Sequence, residues 1–182
     1  MSNERSRKEK LIKRLRYLWT WELFDSFFLP AVVIFSAKTL QRPLGLFTIC
    51  SAGLVTWILW QGTAYWRLKL RAVQTDSEIG AKPLCRALPA LAVLKKVNWV
   101  LIGMLPVLLA GQGLIGTAFR SGFDVIAGLG LYVLAVLEQV NYYHYQLMYD
   151  YPPDWRYLVE HKKLKRSSLN RALEKLSDED ES

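Results

Sequence analysis

Four polar side chains with acid, amide and phenol groups recur at helical spacing in the last third of the sequence. They follow the intervals i, i+3, i+4 and i+7 and therefore share one face of a helix: Glu138, Asn141, Tyr142 and Tyr145. His144 lies on the flank of this face. The surrounding residues are apolar, and an acidic side chain in such a segment must be paired, protonated or turned toward the protein interior. This face is the first candidate for chemistry.

A second acidic pair, Glu22 and Asp25, lies one helical turn apart near the start of the first apolar segment. If the helices that carry the two acidic groups are neighbours, these side chains converge at one depth. A cluster of carboxylate, amide and imidazole groups can hold a divalent metal ion or relay protons. The candidate metal ligands are therefore Glu22, Asp25, Glu138, Asn141 and His144.

An ordinary hydrogen-bond network is the alternative explanation of the same residues. In this interpretation, the acid and amide of the last segment bond to polar groups on the second segment, namely Gln61, Thr63 or Tyr65. The acidic pair of the first segment then meets basic side chains near the membrane surface, namely Arg16, Arg67 or Lys69. The two interpretations differ in whether the polar residues serve a ligand or only the fold.

Four apolar segments must position these residues, at about 19–37, 44–65, 97–119 and 125–145. Each is about 19 to 23 residues long, enough to cross a hydrocarbon layer of ~30 Å at ~1.5 Å per residue. The polar ends of the chain keep the mean hydropathy at +0.10, although 52% of the residues are hydrophobic. The sequence therefore predicts an all-α integral membrane bundle of four transmembrane helices, with residues 19–145 as the transmembrane domain.

Positive charge alternates along the chain. The regions outside the apolar segments carry 7, 2, 7, 1 and 7 of the 24 Lys and Arg residues, in chain order. Because positively charged flanks stay in the cytoplasm during insertion, both termini and the long middle connection are expected there. All 7 Trp residues map to the same side. This bias indicates either an interfacial anchor belt or a binding surface that faces the cytoplasm.

Residues 1–18 form a predicted basic amphipathic helix ahead of the first apolar segment. Ser6 and Glu9 have the spacing of a capping box at its start. Apolar side chains follow one face and basic ones the other, so the helix is expected to lie in the headgroup plane. Its expected contacts with anionic lipid are Lys10, Lys13, Arg14 and Arg16. Residues 83–95 are predicted as a further interfacial helix, after a turn at 76–77.

Residues 146–177 form the corresponding C-terminal interfacial segment. A helix is predicted at about 154–161, and another that starts near Ser167 or Ser168. The expected contacts of this segment with anionic lipid are Lys162, Lys163, Lys165 and Arg166. The acidic residues 178–182 are expected to form a disordered tail.

Most enzyme signatures are missing from the sequence. Its 2 His residues are too few for the histidine clusters of membrane desaturases, and no ExxH pair, HExxH, GxSxG or Walker pattern occurs. Its 2 Cys residues show no metal-binding spacing and no plausible disulfide under the predicted topology. The net charge of +8 lies beside membrane segments and lacks the stacking aromatics of an RNA motif, so no nucleic acid partner is predicted. No cofactor is predicted, and whether the protein is an enzyme stays open.

The most distinctive stretch of the chain is residues 137–150, LEQVNYYHYQLMYD. Together with residues 154–158, DWRYL, and 164–169, LKRSSL, it resembles a family of small bacterial, largely cyanobacterial, four-helix integral membrane proteins with no assigned activity. The resemblance covers about the last quarter of the chain and brings no catalytic residues. It implies a location in a bacterial plasma membrane or a thylakoid membrane.

These observations favour a non-enzymatic, multi-pass membrane protein that acts from its cytoplasmic face as an assembly, scaffolding or regulatory subunit of a membrane complex. The expected partners are anionic lipid headgroups and other membrane proteins. The alternative is a small membrane enzyme or transporter that uses the intramembrane Glu, Asn and His residues, with a bound metal ion as one option. A third class is a lipid-binding module that acts through the basic C-terminal segment.

Overall fold

The computed structural model describes residues 2–75, 78–148 and 152–180 of the chain. The described residues form six helices, four long and two short. The long ones are α1 (Ser2–Thr39), α2 (Leu46–Thr75), α3 (Glu78–Leu114) and α4 (Gly122–Tyr143). The short ones are α5 (Pro152–His161) and α6 (Ser168–Asp180). The predicted all-α class is confirmed for the part of the chain that the structure describes.

Each of the four long helices is long and apolar enough to cross a membrane, by length and composition. The predicted apolar segments at 19–37, 44–65, 97–119 and 125–145 each overlap one of these helices. The helices extend beyond the segments mainly at one end of the bundle, because α1, α2 and α3 continue into polar sequence there.

The basic N-terminal segment and the first apolar segment form one helix rather than two elements. α1 runs without interruption from Ser2 across the predicted boundary at residue 18. Ser6 therefore lies inside the helix, and the predicted capping box is wrong. The physical reason is that no Gly or Pro occurs between Ser2 and Leu29, so nothing in the sequence ends the helix.

α3 also joins two predicted elements into one. The expected interfacial helix at 83–95 continues directly into the third apolar segment, although the helix contains Pro83, Pro89 and Pro106. Each proline removes one main-chain hydrogen bond. Leu88 and Leu91 are 8% and 5% exposed, and their burial in the core keeps this first half of the helix on the bundle. The predicted turn at 76–77 lies outside the described residues.

α2 is the central helix of the bundle, because it packs against α1, α3 and α4. Val55 and Ile58 on α2 are fully buried, as is Ala135 on α4. α1 packs along one side of α2 and leaves most of its apolar side chains exposed, including Phe27 at 61% and Phe35 at 72%. The bundle therefore has a buried central helix and a peripheral first helix.

The connection between α1 and α2 meets the start of α4 at Asp124, which is fully buried. Its Oδ1 accepts hydrogen bonds from the backbone N–H of Gly45 at 2.9 Å and from Oγ1 of Thr48 at 2.5 Å. Its Oδ2 accepts from the backbone N–H of Arg120 at 2.9 Å. One carboxylate thus ties together the connections at this end of the bundle.

A buried amide network joins α2, α3 and α4. Nδ2 of Asn98 donates to Oε1 of Gln61 and to Oε1 of Gln139, both at 2.8 Å. Oδ1 of Asn98 accepts from Nε2 of Gln61 at 3.1 Å, and the hydroxyl of Tyr143 donates to Oε1 of Gln61 at 2.6 Å. Nε2 of Gln139 donates to the carbonyl oxygen of Lys95 at 3.1 Å. Because these groups bond to one another, the network serves the packing of the three helices.

Candidate functional site

Two of the predicted acidic residues, Glu22 and Glu138, meet beside the ring of Tyr142. Their charges act on each other, and the hydroxyl of Tyr142 is near enough to interact with both carboxylates. Nε1 of Trp66 donates to Oε1 of Glu22 at 2.7 Å, and Nδ2 of Asn141 donates to Oε2 of Glu138 at 3.3 Å. The structure therefore brings the acids of the first and fourth long helices together.

Two buried polar atoms of this group have no hydrogen-bond partner among the described residues. They are Oε2 of Glu22 and the hydroxyl of Tyr142. Tyr142 is only 3% exposed. The two atoms are neighbours, but their contact lacks the geometry of a hydrogen bond. A buried polar group without a partner costs ~1–3 kcal/mol. These atoms therefore mark a place where a polar ligand group would be stabilised.

The other predicted metal ligands do not join this pair into a metal site. Nε2 of His144 accepts a hydrogen bond from Nε1 of Trp99 at 3.2 Å, in an exposed position. Oδ1 of Asn141 accepts from the backbone N–H of Leu147 at 2.9 Å, and Asp25 acts on the two glutamates only through its charge. In the described part of the chain, no group of three or more His, Cys, Asp and Glu side chains is arranged to hold a metal ion.

The alternative network has different members from those predicted. Gln61 belongs to the amide network on the other side of α2, and the hydroxyl of Tyr65 bonds to Oγ of Ser168 at 2.9 Å. Oγ1 of Thr63 has no partner among the described residues. The predicted bonds from these three side chains to the acid and amide of α4 are therefore wrong.

Gly62 makes room for the acidic group on α2. A Cβ atom at this position would lie 2.4 Å from Cζ of Tyr142 and 2.6 Å from Oε2 of Glu22. Only a residue without a side chain lets the carboxylate and the phenol approach the backbone of α2 so closely. A single glycine in an apolar segment has no distinctive pattern, and for that reason the sequence did not reveal it.

The chain beyond α4 folds back onto the end of the bundle. We call this layer the cap, and define it as residues 144–148, residues 162–167 and α6. The backbone N–H of Ser167 donates to the carbonyl oxygen of His144 at 3.0 Å. This hydrogen bond holds the segment 162–167 beside the end of α4. Leu169 is 2% exposed and belongs to the hydrophobic core. The cap is therefore part of the folded bundle.

Ser167 holds the start of α6 in place. Its Oγ accepts a hydrogen bond from the backbone N–H of Asn170 at 3.0 Å, the geometry of an N-cap, and its hydroxyl donates to the carbonyl oxygen of Tyr142. Nζ of Lys95 donates to Oδ1 of Asn170 at 3.2 Å. The predicted start of this helix near Ser167 or Ser168 is thus confirmed.

A cavity of about 220 Å³ lies between the cap, the first part of α1 and the ends of α2 and α4. Glu22 and Tyr142, which carry the two unpartnered atoms, form its floor. Its apolar walls are leucines from α1 and α6, namely Leu11, Leu15, Leu18 and Leu169. Residues 11–18 and residue 169 are far apart in the sequence, so no local pattern connects them.

Basic side chains from α1, α2 and the cap line the same cavity, and we call them its rim: Arg14, Lys69, Lys165 and Arg171. The charges of Arg171 and Arg14 act on Lys69. Nζ of Lys69 donates to Oγ of Ser168 and lies 5.7 Å and 5.5 Å from the ring centroids of Tyr65 and Trp66. None of the carboxylates in the described residues forms a salt bridge with Lys69. Like charges therefore act on Lys69 at this rim.

The predicted lipid-contact residues fall into two groups. Arg14 and Lys165 line the cavity. The others have exposed side chains on the outside of the protein: Lys10, Lys13, Arg16, Lys162, Lys163 and Arg166. Arg166 donates to Oε1 of Glu174 at 2.6 Å, and this hydrogen bond, together with the carboxylate charge, raises the pKa of Arg166.

Three residues of the site were not predicted as ligand-binding: Lys69, Ser168 and Arg171. Lys69 is one of several basic residues that follow the second apolar segment, where positive charge is expected for topology alone. The one available signal was the pair of serines before Arg171, because an N-cap followed by a cation in the first turn can form an anion site.

No protein-family model, curated protein or solved structure matches this chain.

Proposed function

We propose that this protein is a multi-pass integral membrane protein that acts from its cytoplasmic face, as an assembly, scaffolding or regulatory subunit of a membrane complex. The observation that carries the proposal is the difference between the two ends of the bundle. One end carries the cap, with its buried contacts and its cavity. The opposite end has only the short connections 40–45 and 115–121. The elaborated end is the one expected to meet partners.

The distribution of charge supports a cytoplasmic position for the capped end. The three regions with 7 Lys and Arg residues each belong to the capped end, and the regions with 2 and 1 belong to the opposite end. Positive flanks are retained in the cytoplasm during insertion. Both termini are then cytoplasmic. The resemblance noted in the sequence favours a bacterial plasma membrane or a thylakoid membrane.

An exposed row of aromatic side chains on α1 supports a contact with another membrane protein. Tyr17, Trp21, Phe24 and Phe28 follow one another along the helix, with ring centroids 5.9, 5.8 and 5.0 Å apart. The row begins in the polar part of α1 and continues into its apolar part. Aromatic residues are enriched at protein interfaces relative to other surfaces. A peripheral helix with such a row is well placed to join a larger complex.

The topology can be tested with reporter fusions. A fluorescent protein fused after Ser182 is expected to fluoresce, and alkaline phosphatase at the same position is expected to be inactive. Matched fusions within the connection 40–45 should give the reverse pattern. An active phosphatase after Ser182 would overturn the proposed orientation.

The assembly role can be tested by native mass spectrometry after gentle extraction from the protein's own membrane. A stoichiometric protein partner is expected, and substitution of Trp21 and Phe24 by Leu should reduce its occupancy. A chain that runs alone and carries a metal ion or a fixed small molecule would favour the enzyme or transporter alternative. In that case Glu138→Gln should keep the folded amount of protein and remove the bound species, whereas under the assembly role it should be mild or weaken folding.

A further inference from the structure

We propose that the cavity under the cap binds the headgroup of a phospholipid whose phosphate carries a terminal hydrogen-bond donor, either an ammonium or a hydroxyl group. The proposal rests on the membrane location proposed above, because the capped end must lie at a lipid surface. It adds a ligand to the proposed function, bound beneath the cap. Three features of the cavity support the proposal: its rim, its floor and its size.

The rim has the chemistry of a phosphate site. The charges of Arg14 and Arg171 act on Lys69, and all three side chains line the cavity. Ser168 begins α6, so the positive end of the helix dipole faces the same opening, and its hydroxyl is already in contact with Lys69. An anion placed here relieves the repulsion between the cations and accepts charge-assisted hydrogen bonds.

The floor calls for a different chemical group. Oε2 of Glu22 is a buried acceptor without a donor, and the hydroxyl of Tyr142 beside it also has no partner among the described residues. A second anion would be repelled by the glutamate. An ammonium or hydroxyl group donates to Glu22 and satisfies both atoms, because a phenol can donate or accept. A choline group cannot do this, since its quaternary nitrogen has no N–H.

The size of the cavity fits a headgroup rather than a whole lipid. Its volume of about 220 Å³ is below the ~300–1,000 Å³ that is usual for pockets that enclose a drug-sized molecule. The acyl chains must therefore stay outside. Leu11 lines the cavity and is 41% exposed, so its side chain offers an apolar surface that continues from the cavity to the outside of α1. A lipid can enter by its polar end while its chains remain with the bilayer.

The binding test uses the full chain, purified in a maltoside detergent and freed of its own lipid. Four probes are added separately: phosphatidylethanolamine, phosphatidylglycerol, phosphatidylcholine and inorganic phosphate. Native mass spectrometry then measures the fraction of protein that retains each probe. Retention of phosphatidylethanolamine or phosphatidylglycerol is expected, and the stronger of the two identifies the donor group. Phosphatidylcholine and inorganic phosphate are expected to be lost.

Two substitutions locate the binding to the cavity. Arg171→Gln removes an exposed cation of the rim, and Tyr142→Phe removes a hydroxyl of the floor. Each should weaken lipid retention about tenfold, the size expected for one charge-assisted hydrogen bond. Lys175→Gln is the matched control, because Lys175 lies one turn further along α6, is exposed and does not line the cavity. Unfolding midpoints of all variants show whether a loss of binding comes from misfolding.

Several outcomes would overturn the proposal. Equal retention of phosphatidylcholine would contradict the donor requirement, and equal retention of inorganic phosphate would mean a simple anion site. Unchanged retention in a folded Arg171→Gln variant would place the lipid elsewhere on the protein. The measurement uses the isolated chain, so these failures leave the reporter and partner experiments unaffected. A reversed orientation in the reporter experiment would instead overturn the cytoplasmic position of the capped end and leave the binding result unchanged.

Discussion

The backbone of Gly62 lies directly against the ring of Tyr142. A Cβ atom on this glycine would be 2.4 Å from Cζ of the ring, far inside van der Waals contact. This close approach lets α4 present a phenol to the carboxylate of Glu22 across α2. The floor of the cavity therefore depends on the absence of one methyl group.

Gly62→Ala is expected to lower the free energy of unfolding by ~1–3 kcal/mol, because the added methyl group forces the ring or the carboxylate to move. Gly53→Ala on the same helix is the control, since a Cβ there meets nothing within 4 Å. The control should be neutral or slightly stabilising, because Ala favours helix more than Gly does. The measurement is a denaturant titration in detergent micelles. Equal effects of the two substitutions would mean that α2 and α4 do not approach so closely.

Substitutions of Asp124 test the closure of the opposite end. Asp124→Ala leaves two backbone N–H groups without their acceptor and leaves the hydroxyl of Thr48 only the backbone carbonyl oxygen of residue 124, at 3.1 Å. The substitution should cost at least ~2 kcal/mol of unfolding free energy. Asp124→Asn keeps one oxygen for Gly45 and Thr48 but turns an N–H₂ group toward the N–H of Arg120, so an intermediate loss is expected. The same titration measures both. An Asn variant as stable as the parent protein would show that only one carboxylate oxygen matters.

The amide network gives a graded prediction. Tyr143→Phe removes one hydrogen bond to Gln61 and should cost about 1 kcal/mol. Asn98→Ala removes three hydrogen bonds and leaves Nε2 of Gln61 and Oε1 of Gln139 without a partner, so its cost should be larger, about 2 to 3 kcal/mol. Tyr145→Phe serves as the control for the loss of a phenol, because Tyr145 is 45% exposed. A larger loss for Tyr143→Phe than for Asn98→Ala would contradict the central place of Asn98.

Ser167→Ala tests how the cap is attached. The substitution removes the N-cap of α6 and the hydroxyl bond to the carbonyl oxygen of Tyr142, at a cost of about 1 kcal/mol. Amide hydrogen exchange in α6 should accelerate while exchange in α2 stays unchanged. Ser121→Ala removes the N-cap of α4 at the other end of the bundle and is the matched control. If both variants accelerate exchange in α6 equally, the cap is not held locally by Ser167.

The sequence was informative about the long helices and their polar faces, since hydropathy and helical spacing are local properties. The convergence of Glu22 and Glu138 was predicted only on the condition that the first and last long helices are neighbours, and α2, which packs against both, brings the two side chains together. The continuity of α3 was not predictable from local rules, because the cost of Pro89 is offset by the burial of Leu88, a tertiary effect. The residues of the rim were also not predictable, because they come together only through tertiary contacts.

The rim illustrates that limit most clearly. Lys69 and Arg171 are far apart in the chain and each resembles an ordinary topology-determining cation. Their common site exists only because Ser167 and Leu169 return α6 to the bundle. Likewise, no periodicity connects Gln61, Asn98 and Gln139, which lie on three different helices. Contacts between distant residues leave no local pattern in one sequence.

The cavity combines one of the earliest parts of the chain with one of the last, since its walls come from the first part of α1 and from α6. Because translation runs from the N-terminus to the C-terminus, Arg14 is synthesised long before Arg171. The helices between them must pack before α6 can reach α1. The site therefore forms only after α1, α6 and the helices between them have been synthesised. Its occupancy by a ligand would report that insertion of every helix has been completed, so a partner that reads this surface would engage only finished molecules.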